Sequence, residues 1–498
     1  MINSFLDWLH SLPWPIIFQV GYWLYVSLIV VVSAEIILNA RSVSKALAYL
    51  AVIALLPIVG VVFYLSFGIN YRKRKMYTRK IWKDIRLANL VEKQLEQQFK
   101  TTSLEHVRDI SYFFPLAQMI QNDSKNIFSS GNKVSLLLNG EAKFPQILAD
   151  LRNAKDHIHI EYYIFEDDVI GNEIAEILIQ KHKEGVAVKF IYDDFGSSNI
   201  RHSLIYRLNE AGVPNFPFYK IKWIALANRL NYRNHRKIVI IDRTIGYVGG
   251  INVSDKYINK RQENHQYWRD THLRLEGLAV LNLQIVFLSD WQFCSDSDIE
   301  DITQFFPKEK EDFDFGEELV QVVASGPDSN FPSILFAINR AILLSKKSVW
   351  ITTPYFIPDE TLTNALTMAA LSGLDVRLLV PGISDSRFVN SSASSHYEEL
   401  LEIGVRIFRY QKGFVHAKTM ICDSRVAFIG TANLDQRSFD LNFEVNAVVY
   451  NVNLAQELEA AFLKDLESAE EIDLARWLER PAWKRLTGKV LNLFSPLM

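Results

Sequence analysis

The chain has 498 residues but little cysteine and no excess of positive charge. Its two cysteines, Cys294 and Cys422, allow at most one disulfide, and Cys422 lies in an apolar run where a buried free thiol is the ordinary interpretation. This count excludes a disulfide framework and a cysteine-based zinc site. A net charge of −3 gives no support to a polyanion partner, although local basic patches can still bind anions.

Two N-terminal runs lack charged residues altogether, at 14–34 and 46–69. Each is about as long as the ~20 residues that a helix needs to cross the hydrocarbon core, and a helix satisfies its backbone groups within the segment. The sequence therefore predicts a membrane anchor in residues 1–70, with transmembrane helices at about 14–38 and 46–69 and a kink at Pro57. A pair of buried core helices is the alternative.

Basic residues beside these runs predict the orientation of the anchor. Residues 71–80 hold six Lys or Arg residues, whereas the connection between the runs holds only Arg41 and Lys45. Because the basic side faces the cytoplasm, we expect a multi-pass protein of the inner (cytoplasmic) membrane with its catalytic part in the cytoplasm. The basic cluster is interpreted as a stop-transfer signal, and attraction to anionic headgroups is the second interpretation.

After a basic juxtamembrane segment and connector at 71–132, the sequence repeats itself. A strand, helix, strand, helix pattern at 155–213 recurs at 346–405, and its helices end at glycines. The strands are rich in Val and Ile, as in sheets that are covered on both faces. We predict an α/β fold of two sandwich halves, residues 133–315 and 316–498, each with a largely parallel sheet.

A group of three polar side chains occurs once in each predicted half. The stretches NHRKIVIID and VHAKTMICD share one spacing, which selects His235, Lys237, Asp242, His416, Lys418 and Asp423. Each stretch predicts a hairpin with its turn at the Asp and a Gly-rich exit. His and Lys at i and i+2 on a strand point to one face, so the imidazole and the ammonium can enter one pocket. Two copies in register, inside a wider repeat, are not expected by chance.

These residue types favour transfer chemistry on a phosphodiester. Two Lys can neutralise the oxygens on which negative charge develops. One neutral His can attack phosphorus and form a covalent intermediate, while the other His, protonated, can donate its proton to the departing alkoxide. The sequence calls for no metal and no other cofactor, because the cations are built in and Lys on the shared face repels a metal ion.

The repeats resemble the phospholipase D superfamily, whose HKD motif takes its name from these residues. The anchor with its basic flank, the stretch RSFDLNFEVN at 437–446 and the tail with Trp477 and Arg480 resemble the bacterial cardiolipin synthases in particular. The resemblance implies two halves that face each other across a pseudo-two-fold axis with both motifs in one pocket. It also implies transfer of a phosphatidyl group between two phosphatidylglycerol molecules through a phosphohistidine, which gives cardiolipin and glycerol.

The same resemblance implies roles for single residues. His235 is expected to be the nucleophile and His416 the acid and then the base, although the two motifs are equivalent in sequence. Asn252 and Asn433 match family positions that help to hold the phosphate.

The resemblance also implies a role for two carboxylates outside the motifs, and the two motif carboxylates allow two interpretations. Asp270 and Glu444 lie 35 and 28 residues after their His and are expected to orient the opposite His. The unequal offset leaves an ordinary salt bridge as the alternative for Asp270. Asp242 and Asp423 are included among the catalytic candidates, with fixation of the hairpin turn as the slightly favoured interpretation.

Other functions in the superfamily provide alternatives. A membrane-bound phospholipase D would let water attack the intermediate and release phosphatidic acid. A nuclease would need a basic groove, which the net charge and the anchor disfavour, so we expect no nucleic-acid partner. A lipid-binding scaffold with decayed motifs is disfavoured because all six motif residues are present. The oligomeric state does not follow from the sequence.

The C-terminal stretch 485–498 is apolar with a few basic residues. It is expected either to lie in the membrane interface as an amphipathic helix or to pack against the catalytic part.

Overall fold

The computed structural model describes residues 13–39, 43–64, 110–124, 128–219, 232–261, 266–296, 303–305 and 315–492. The chain divides into two compact units, of which the smaller holds the N-terminal helices and the larger holds the sheet. The basic segment at 71–80, from which the orientation was predicted, lies outside the described residues.

Among the described residues of the N-terminal unit, the helices are α1 (Trp14–Asn39), α2 (Val43–Leu55) and α3 (Pro57–Phe63). Within the described part of the chain, α1 is the one helix that is long and apolar enough to cross a membrane, over Phe18–Leu38. Its apolar side chains are widely exposed, such as Phe18 at 69% and Leu38 at 81%. Apolar residues around a helix of this length suit a lipid environment.

The second apolar run does not form the single long helix that was predicted. It is broken at Leu56, whose backbone leaves the helical region at φ −138° and ψ 73°, and Pro57 begins the next helix. Proline lacks the N–H that continues a helix and disfavours the helical conformation in the residue before it. The kink predicted at Pro57 is thus a break, and residues 65–69 lie outside the described part.

The larger unit alternates helices and strands. Its described helices are α4 (Phe114–Ser124), α5 (Asn139–Asn153), α6 (Val169–Lys183), α7 (Leu204–Glu210), α8 (Ala279–Ser295), α9 (Ser333–Leu344), α10 (Glu360–Leu371), α11 (Arg387–Ala393), α12 (Tyr397–Glu402), α13 (Gln436–Asp440), α14 (Val452–Leu466), α15 (Leu474–Leu478) and α16 (Ala482–Asn492).

The described strands are β1 (Ser129–Leu138), β2 (His157–Tyr162), β3 (Ala187–Tyr192), β4 (Asn215–Pro217), β5 (Arg233–Asn234), β6 (Lys237–Ile241), β7 (Ile245–Gly249), β8 (Tyr267–Arg269), β9 (Thr271–Glu276), β10 (Glu318–Ser325), β11 (Ser348–Thr352), β12 (Phe356–Ile357), β13 (Asp375–Pro381), β14 (Arg406–Tyr410), β15 (Gly413–Val415), β16 (Thr419–Cys422), β17 (Val426–Gly430), β18 (Leu434–Asp435), β19 (Asn442–Tyr450) and β20 (Ala469–Glu471).

Most strands join one sheet that runs through both halves. Its order is β4-β3-β2-β6-β7-β9-β1 in the first half and continues as β10-β19-β17-β16-β11-β13-β14-β20 in the second. The central strands β1 and β10 are antiparallel neighbours, with Ser129 opposite Val320. Counted outward from this centre, equivalent strands follow one another in the same order, so the sequence repeat is a repeat of the fold.

The prediction of a largely parallel sheet is wrong for the inner strands. Along the described path of this sheet, the strands β2-β3-β4 and β11-β13-β14 pair parallel. The strands between them pair antiparallel. Tight turns join antiparallel neighbours, whereas parallel neighbours need a crossover such as α6 or α10. The hairpins that carry the motifs therefore make β6–β7 and β16–β17 antiparallel pairs.

Each half has its own hydrophobic core beside this sheet. In the first half it includes Ile158, Ile160 and Val239, and in the second it includes Val349 and Ile351. Helix α4, which was assigned to the connector, contributes buried apolar side chains to the second core. The sheet and its covering helices give the motif hairpins a rigid base.

Candidate active site

The first motif reaches its place by pairing with a strand of the other half. Strand β5, immediately before His235, runs parallel to the start of β19, with Asn234 opposite Phe443. The His235 N–H donates to the Phe443 carbonyl at 2.9 Å. The backbone itself therefore fixes His235 beside the residue that follows Phe443.

The second motif repeats this arrangement with the two halves exchanged. Strand β15, immediately before His416, runs parallel to β8, with Val415 opposite Arg269. The His416 N–H donates to the Arg269 carbonyl at 2.7 Å. Gly413 allows the close approach, since a Cβ there would lie 2.0 Å from the Tyr267 carbonyl oxygen.

Each imidazole consequently meets a carboxylate of the opposite half. His235 Nδ1 lies 3.0 Å from both carboxylate oxygens of Glu444. His416 Nδ1 lies 2.7 Å from Asp270 Oδ2. Both carboxylates are fully buried. The contact expected for Asp270 is therefore present despite its unequal offset in sequence, because the cross-half strand pairing and not the residue count positions it.

The two motif lysines are buried next to their histidines. Lys237 Nζ donates to the His235 carbonyl at 2.7 Å, and Lys418 Nζ donates to the His416 carbonyl at 2.5 Å. Burial lowers the pKa of Lys237 and of His235 most, and the charge of Lys418 lowers both further. The two motifs are therefore close enough to interact electrostatically. The structure thus brings together the histidines and lysines of both motifs.

Burial sets the protonation of this centre. Removal from water lowers the pKa of His235 to about 4, of Lys237 to about 7 and of Lys418 to about 8. It also lowers the pKa of His416, which both motif lysines and His235 lower further. Burial raises the pKa of Asp270 to about 6, while Lys418 acts in the opposite direction. The centre thus pairs neutral imidazoles with two lysines whose ammonium groups can face the oxygens of an anionic phosphodiester.

Asp242 and Asp423 lie away from this centre, at the far ends of the motif strands. Each is the first residue of a two-residue turn with positive φ at both positions, 50° and 66° at Asp242 and Arg243 and 56° and 54° at Asp423 and Ser424. Such turns match the twist of a hairpin.

The carboxylates of these two turn residues accept backbone hydrogen bonds. Asp242 accepts from the three consecutive N–H groups of residues 155–157 at 2.8–3.0 Å. Asp423 accepts from those of residues 346–348 at 2.7–2.9 Å. These hydrogen bonds tie each hairpin to the start of the neighbouring strand, which agrees with the turn-fixing interpretation rather than with a catalytic one.

The two motif asparagines differ from each other. The Asn252 side-chain oxygen Oδ1 accepts from the Ile164 N–H at 3.2 Å, and its Nδ2 donates to the Tyr257 hydroxyl at 2.8 Å. Asn433 Oδ1 is buried and has no hydrogen-bond partner in the described structure. Asn252 is thus engaged in holding the loop, and Asn433 is the one with a free polar atom.

The sequence interpretation overlooked Arg236, between the His and the Lys of the first motif. Its guanidinium is buried, pairs with Asp290, and donates from Nε to the Glu444 carbonyl at 3.3 Å. The second motif has Ala417 at this position. The difference between NHRK and VHAK was the signal that could have revealed it.

Arg269 supports the other carboxylate in a similar way. Its guanidinium donates to the Asp270 carbonyl at 2.6 Å and pairs with Asp465 at 2.8 Å. The carbonyl groups of both active-site carboxylate residues are thus held by arginines of the first half.

Aromatic rings border both imidazoles. The Tyr163 ring centroid lies 4.9 Å from that of His235, and the Trp268 centroid lies 5.7 Å from that of His416. The Lys256 ammonium sits 4.6 Å from the Trp268 centroid, within the range of a cation–π contact, and its charge contributes to the low pKa of His416.

Two family models match the chain. One, described as "Cardiolipin synthase, PLD-like domain", matches residues 147–284 and 338–466, one stretch in each half. The other, described as "Phospholipase D-nuclease N-terminal", matches residues 26–68.

Related proteins match over nearly the whole length. "Cardiolipin synthase 2" of Bacillus anthracis is 42% identical over 467 residues, which cover 94% of this chain and 89% of that protein. The "Major cardiolipin synthase" of Bacillus subtilis (strain 168) is 39% identical over 92% of this chain and 94% of that protein. Among solved structures, phosphatidylserine synthase of Haemophilus influenzae Rd KW20 has a TM-score of 0.57 at 15% identity, over 77% of this chain and 98% of that one, and so shares the fold.

The duplicated sheet and the paired His–Lys motifs at one centre define a two-lobed phospholipase D-like protein. The relatives that match over nearly the whole chain identify the family within this class. The chain belongs to the cardiolipin synthase family.

Proposed function

We propose that the protein is a cardiolipin synthase that moves a phosphatidyl group from one phosphatidylglycerol to another and releases glycerol. The observation that carries this proposal is the buried centre in which two histidines, each paired with a carboxylate of the opposite half, share two lysines. Such a centre offers one nucleophile, one proton carrier and fixed positive charge to a phosphodiester.

In the first step His235 acts as the nucleophile. The Glu444 carboxylate accepts a hydrogen bond from the Nδ1–H of His235, so the lone pair on Nε2 is free to attack phosphorus. The Nε2–P bond forms, and the bond from phosphorus to the oxygen of the headgroup glycerol breaks. Lys237 and Lys418 face the negative charge that develops on the phosphoryl oxygens.

His416 supplies the proton that the leaving glycerol oxygen needs. Its partner Asp270 has a pKa raised to about 6, so this pair retains a proton more readily than one with an ordinary aspartate. The bound phosphodiester adds a negative charge that opposes the effect of the lysines and raises the pKa of His416. We therefore assign the acid role to His416, the motif histidine that does not attack phosphorus.

In the second step the headgroup hydroxyl of another phosphatidylglycerol completes the transfer. His416 accepts the hydroxyl proton, the new oxygen–phosphorus bond forms, and the bond to His235 Nε2 breaks. Cardiolipin leaves, and both histidines return to their starting protonation. Asn433, whose Oδ1 is buried without a partner, is assigned to substrate positioning.

We also propose that the N-terminal unit holds the enzyme at its lipid substrates as a two-span anchor. Helix α1 provides one crossing, and α2 with α3 provides a second, interrupted one. The catalytic unit then faces the cytoplasm, as the basic segment at 71–80 favours. This orientation is tested by placing single cysteines on the catalytic unit and labelling them from one side of sealed membrane vesicles. Labelling only from the side that corresponds to the cell exterior contradicts it.

The activity is tested with the purified full chain in vesicles of phosphatidylglycerol alone. We expect cardiolipin and glycerol in equal amounts, and neither product with His235→Ala. Phosphatidic acid as the sole lipid product contradicts the transferase and identifies a hydrolase with the same centre.

A further inference from the structure

The C-terminal helix α16 is fixed to the second half by one of its faces. A Cβ on Gly488 would lie 2.9 Å from the Ser391 carbonyl oxygen, so the helix approaches α11 closely. Asn492 Oδ1 accepts from the Ser392 hydroxyl at 3.2 Å, and Arg485 pairs with Glu398 at 2.5 Å. Packing against the catalytic unit, one of the two alternatives for this segment, is thus established for α16.

The opposite face of α16 carries large apolar side chains in the open. Trp483, Leu486 and Val490 are 63%, 64% and 44% exposed, and their spacing places them on one side of a helix. Near the supporting helix α11, Phe388 is 65% and Ile383 48% exposed. These five residues are the C-terminal apolar surface. The three residues on α16 lie on one side of the helix, and a group of exposed apolar side chains of this kind is typical of a surface that binds a partner or a membrane.

Positive charge lies along the packed side of α16. Arg480, Arg485 and Lys489 line a small cleft together with one carboxylate, Glu398. Burial lowers the pKa of Arg480; Glu398 counteracts this, and Arg485 lowers it further, so positive charge is crowded here. Lys489 forms no ion pair within the described part of the chain. The cleft therefore has more positive than negative side chains and suits an anionic group.

The apolar surface is continuous in the chain with the active centre. Asp385 lies between Ile383 and α11, and its carboxylate accepts from the Tyr355 hydroxyl at 2.6 Å. Its charge also raises the pKa of Lys418. The segment that leads into α11 thus runs from the neighbourhood of the second motif to the exposed apolar residues.

We propose that the C-terminal apolar surface docks onto an anionic lipid bilayer, with Trp483 and Leu486 in the acyl boundary and the cleft cations on lipid phosphates. An amphipathic helix with apolar residues on one side and Lys or Arg beside them binds in this manner. Tryptophan suits the boundary, since its ring is apolar and its N–H is polar. The docking fixes how the catalytic unit stands on the membrane and does not depend on which product the enzyme forms.

The test compares two exposed leucines of the full chain in vesicles. Leu486→Cys and the control Leu371→Cys are labelled with an environment-sensitive fluorophore in a Cys294→Ser background, since Cys422 is buried. Leu371 is 70% exposed at the end of α10, a helix without Lys or Arg. In phosphatidylglycerol vesicles we expect a blue-shifted emission and quenching by lipid-borne quenchers at position 486 alone. Equal, water-like spectra at both positions overturn the proposal.

The contribution of charge is measured with the same probe. Adding Arg480→Gln and Lys489→Gln to the labelled protein should reverse at least half of the blue shift in phosphatidylglycerol vesicles. Vesicles of phosphatidylcholine alone should give a smaller shift than anionic ones. A shift that is independent of both the cations and the lipid charge overturns the assignment of the cleft to lipid phosphates.

A further arm separates docking from folding. Trp483→Ser with Leu486→Ser should lower the reaction in vesicles about fivefold while leaving it unchanged in detergent micelles that dissolve the lipid. Leu371→Ser should change neither rate. An unchanged rate of the double variant in vesicles overturns the functional part of the proposal. An equal fall of its rate in vesicles and in micelles shows a structural role and overturns the proposal as well.

Discussion

The two halves of the molecule present the same reactive side chains on different supports. In the first motif a buried arginine, Arg236, follows the histidine and reaches Asp290 and the Glu444 carbonyl. In the second motif the equivalent residue is Ala417, and the support comes from Arg269 paired with Asp465. The chemistry constrains the histidine, the lysine and the carboxylate, whereas the residues behind them only have to fill space and satisfy charge. The repeat has therefore diverged behind the reactive groups.

The two imidazole–carboxylate pairs also differ in their hydrogen bonds. Glu444 accepts from the Thr431 hydroxyl at 2.5 Å and from the Asn442 amide at 3.2 Å, in addition to His235. Asp270 accepts from the Thr271 N–H at 2.7 Å, and its pKa is raised to about 6. We expect this difference to divide the labour between a nucleophile and an acid.

The largest effect should come from the histidines themselves. His235→Ala and His416→Ala should each lower cardiolipin formation by at least about 10⁴-fold, because one removes the nucleophile and the other the proton carrier. A donor that releases p-nitrophenol needs no proton for its leaving group. With this donor we expect a burst of p-nitrophenol and a trapped phosphoenzyme in His416→Ala only. The opposite pattern would exchange the two roles.

The next largest effect should come from the carboxylates. Glu444→Gln and Asp270→Asn should each lower cardiolipin formation by about 10²- to 10⁴-fold, since each carboxylate orients an imidazole and stabilises its charged form. The p-nitrophenol donor should largely restore the first step of Asp270→Asn and leave Glu444→Gln impaired. Asp242→Asn is the matched control, because its carboxylate binds backbone amides in the turn. An equal loss of turnover in this control, at unchanged folded fraction, would refute its assignment to the hairpin.

The pH dependence should be smaller but tells whether the lysines act as cations. The free protein has Lys237 at a pKa of about 7 and Lys418 at about 8, so both charges are present below these values and lost as the pH rises. His235, at about 4, is neutral throughout this range. We expect kcat/KM to fall at least about tenfold between pH 7 and pH 9.

Two comparisons sharpen this pH experiment. The bound phosphate favours the charged ammonium, so kcat should decline at higher pH than kcat/KM. Lys237→Arg should move the decline of kcat/KM to higher pH in whatever activity it retains, since arginine keeps its charge. Identical profiles for kcat and kcat/KM would show that the lysines do not face the phosphate.

The smallest effect on rate should come from the support behind the first motif. Arg236→Met should lower kcat only severalfold but should lower the free energy of unfolding by about 3–5 kcal/mol, because it removes the guanidinium that compensates the buried Asp290 carboxylate. Thermal unfolding in detergent measures this. Combining it with Asp290→Leu should restore much of the stability. A double variant no more stable than Arg236→Met would show that Asp290 is not the reason for the loss.

Much of the site could be predicted from local spacing. The Asp of each motif predicted the hairpin turn, and the structure confirms it. The turn depends on residues within about ten positions of one another, where turn chemistry decides the conformation. The prediction that His and Lys lie together on one strand is wrong, because His235 lies between β5 and β6, and His416 and Lys418 lie between β15 and β16. Arg236 escaped the interpretation because an arginine between two motif residues does not reveal whether it faces water or a buried aspartate.

The sheet and the two ends of the chain were harder to predict. Alternating strands and helices suggested parallel pairing, but the motif hairpins occupy the inner strands and make them antiparallel. Two uncharged runs suggested two similar helices, but the second is broken before Pro57. The C-terminal segment suggested either packing or a membrane contact. The structure fixes one face of α16 to α11 and leaves the other exposed, so the two alternatives need not compete.

The sequence by itself determined the duplicated constellation, its hairpin setting and an apolar N-terminal helix, because each depends on neighbours along the chain. Residue spacing alone did not decide which carboxylate meets which imidazole; the family resemblance implied the cross-half pairing, and the tertiary structure shows how it forms. His235 and Glu444 are 209 positions apart, and His416 and Asp270 are 146 apart. They meet because β5 pairs with β19 and β15 with β8 across the two halves. Such backbone contacts form only once both halves have folded around their own cores and share one sheet.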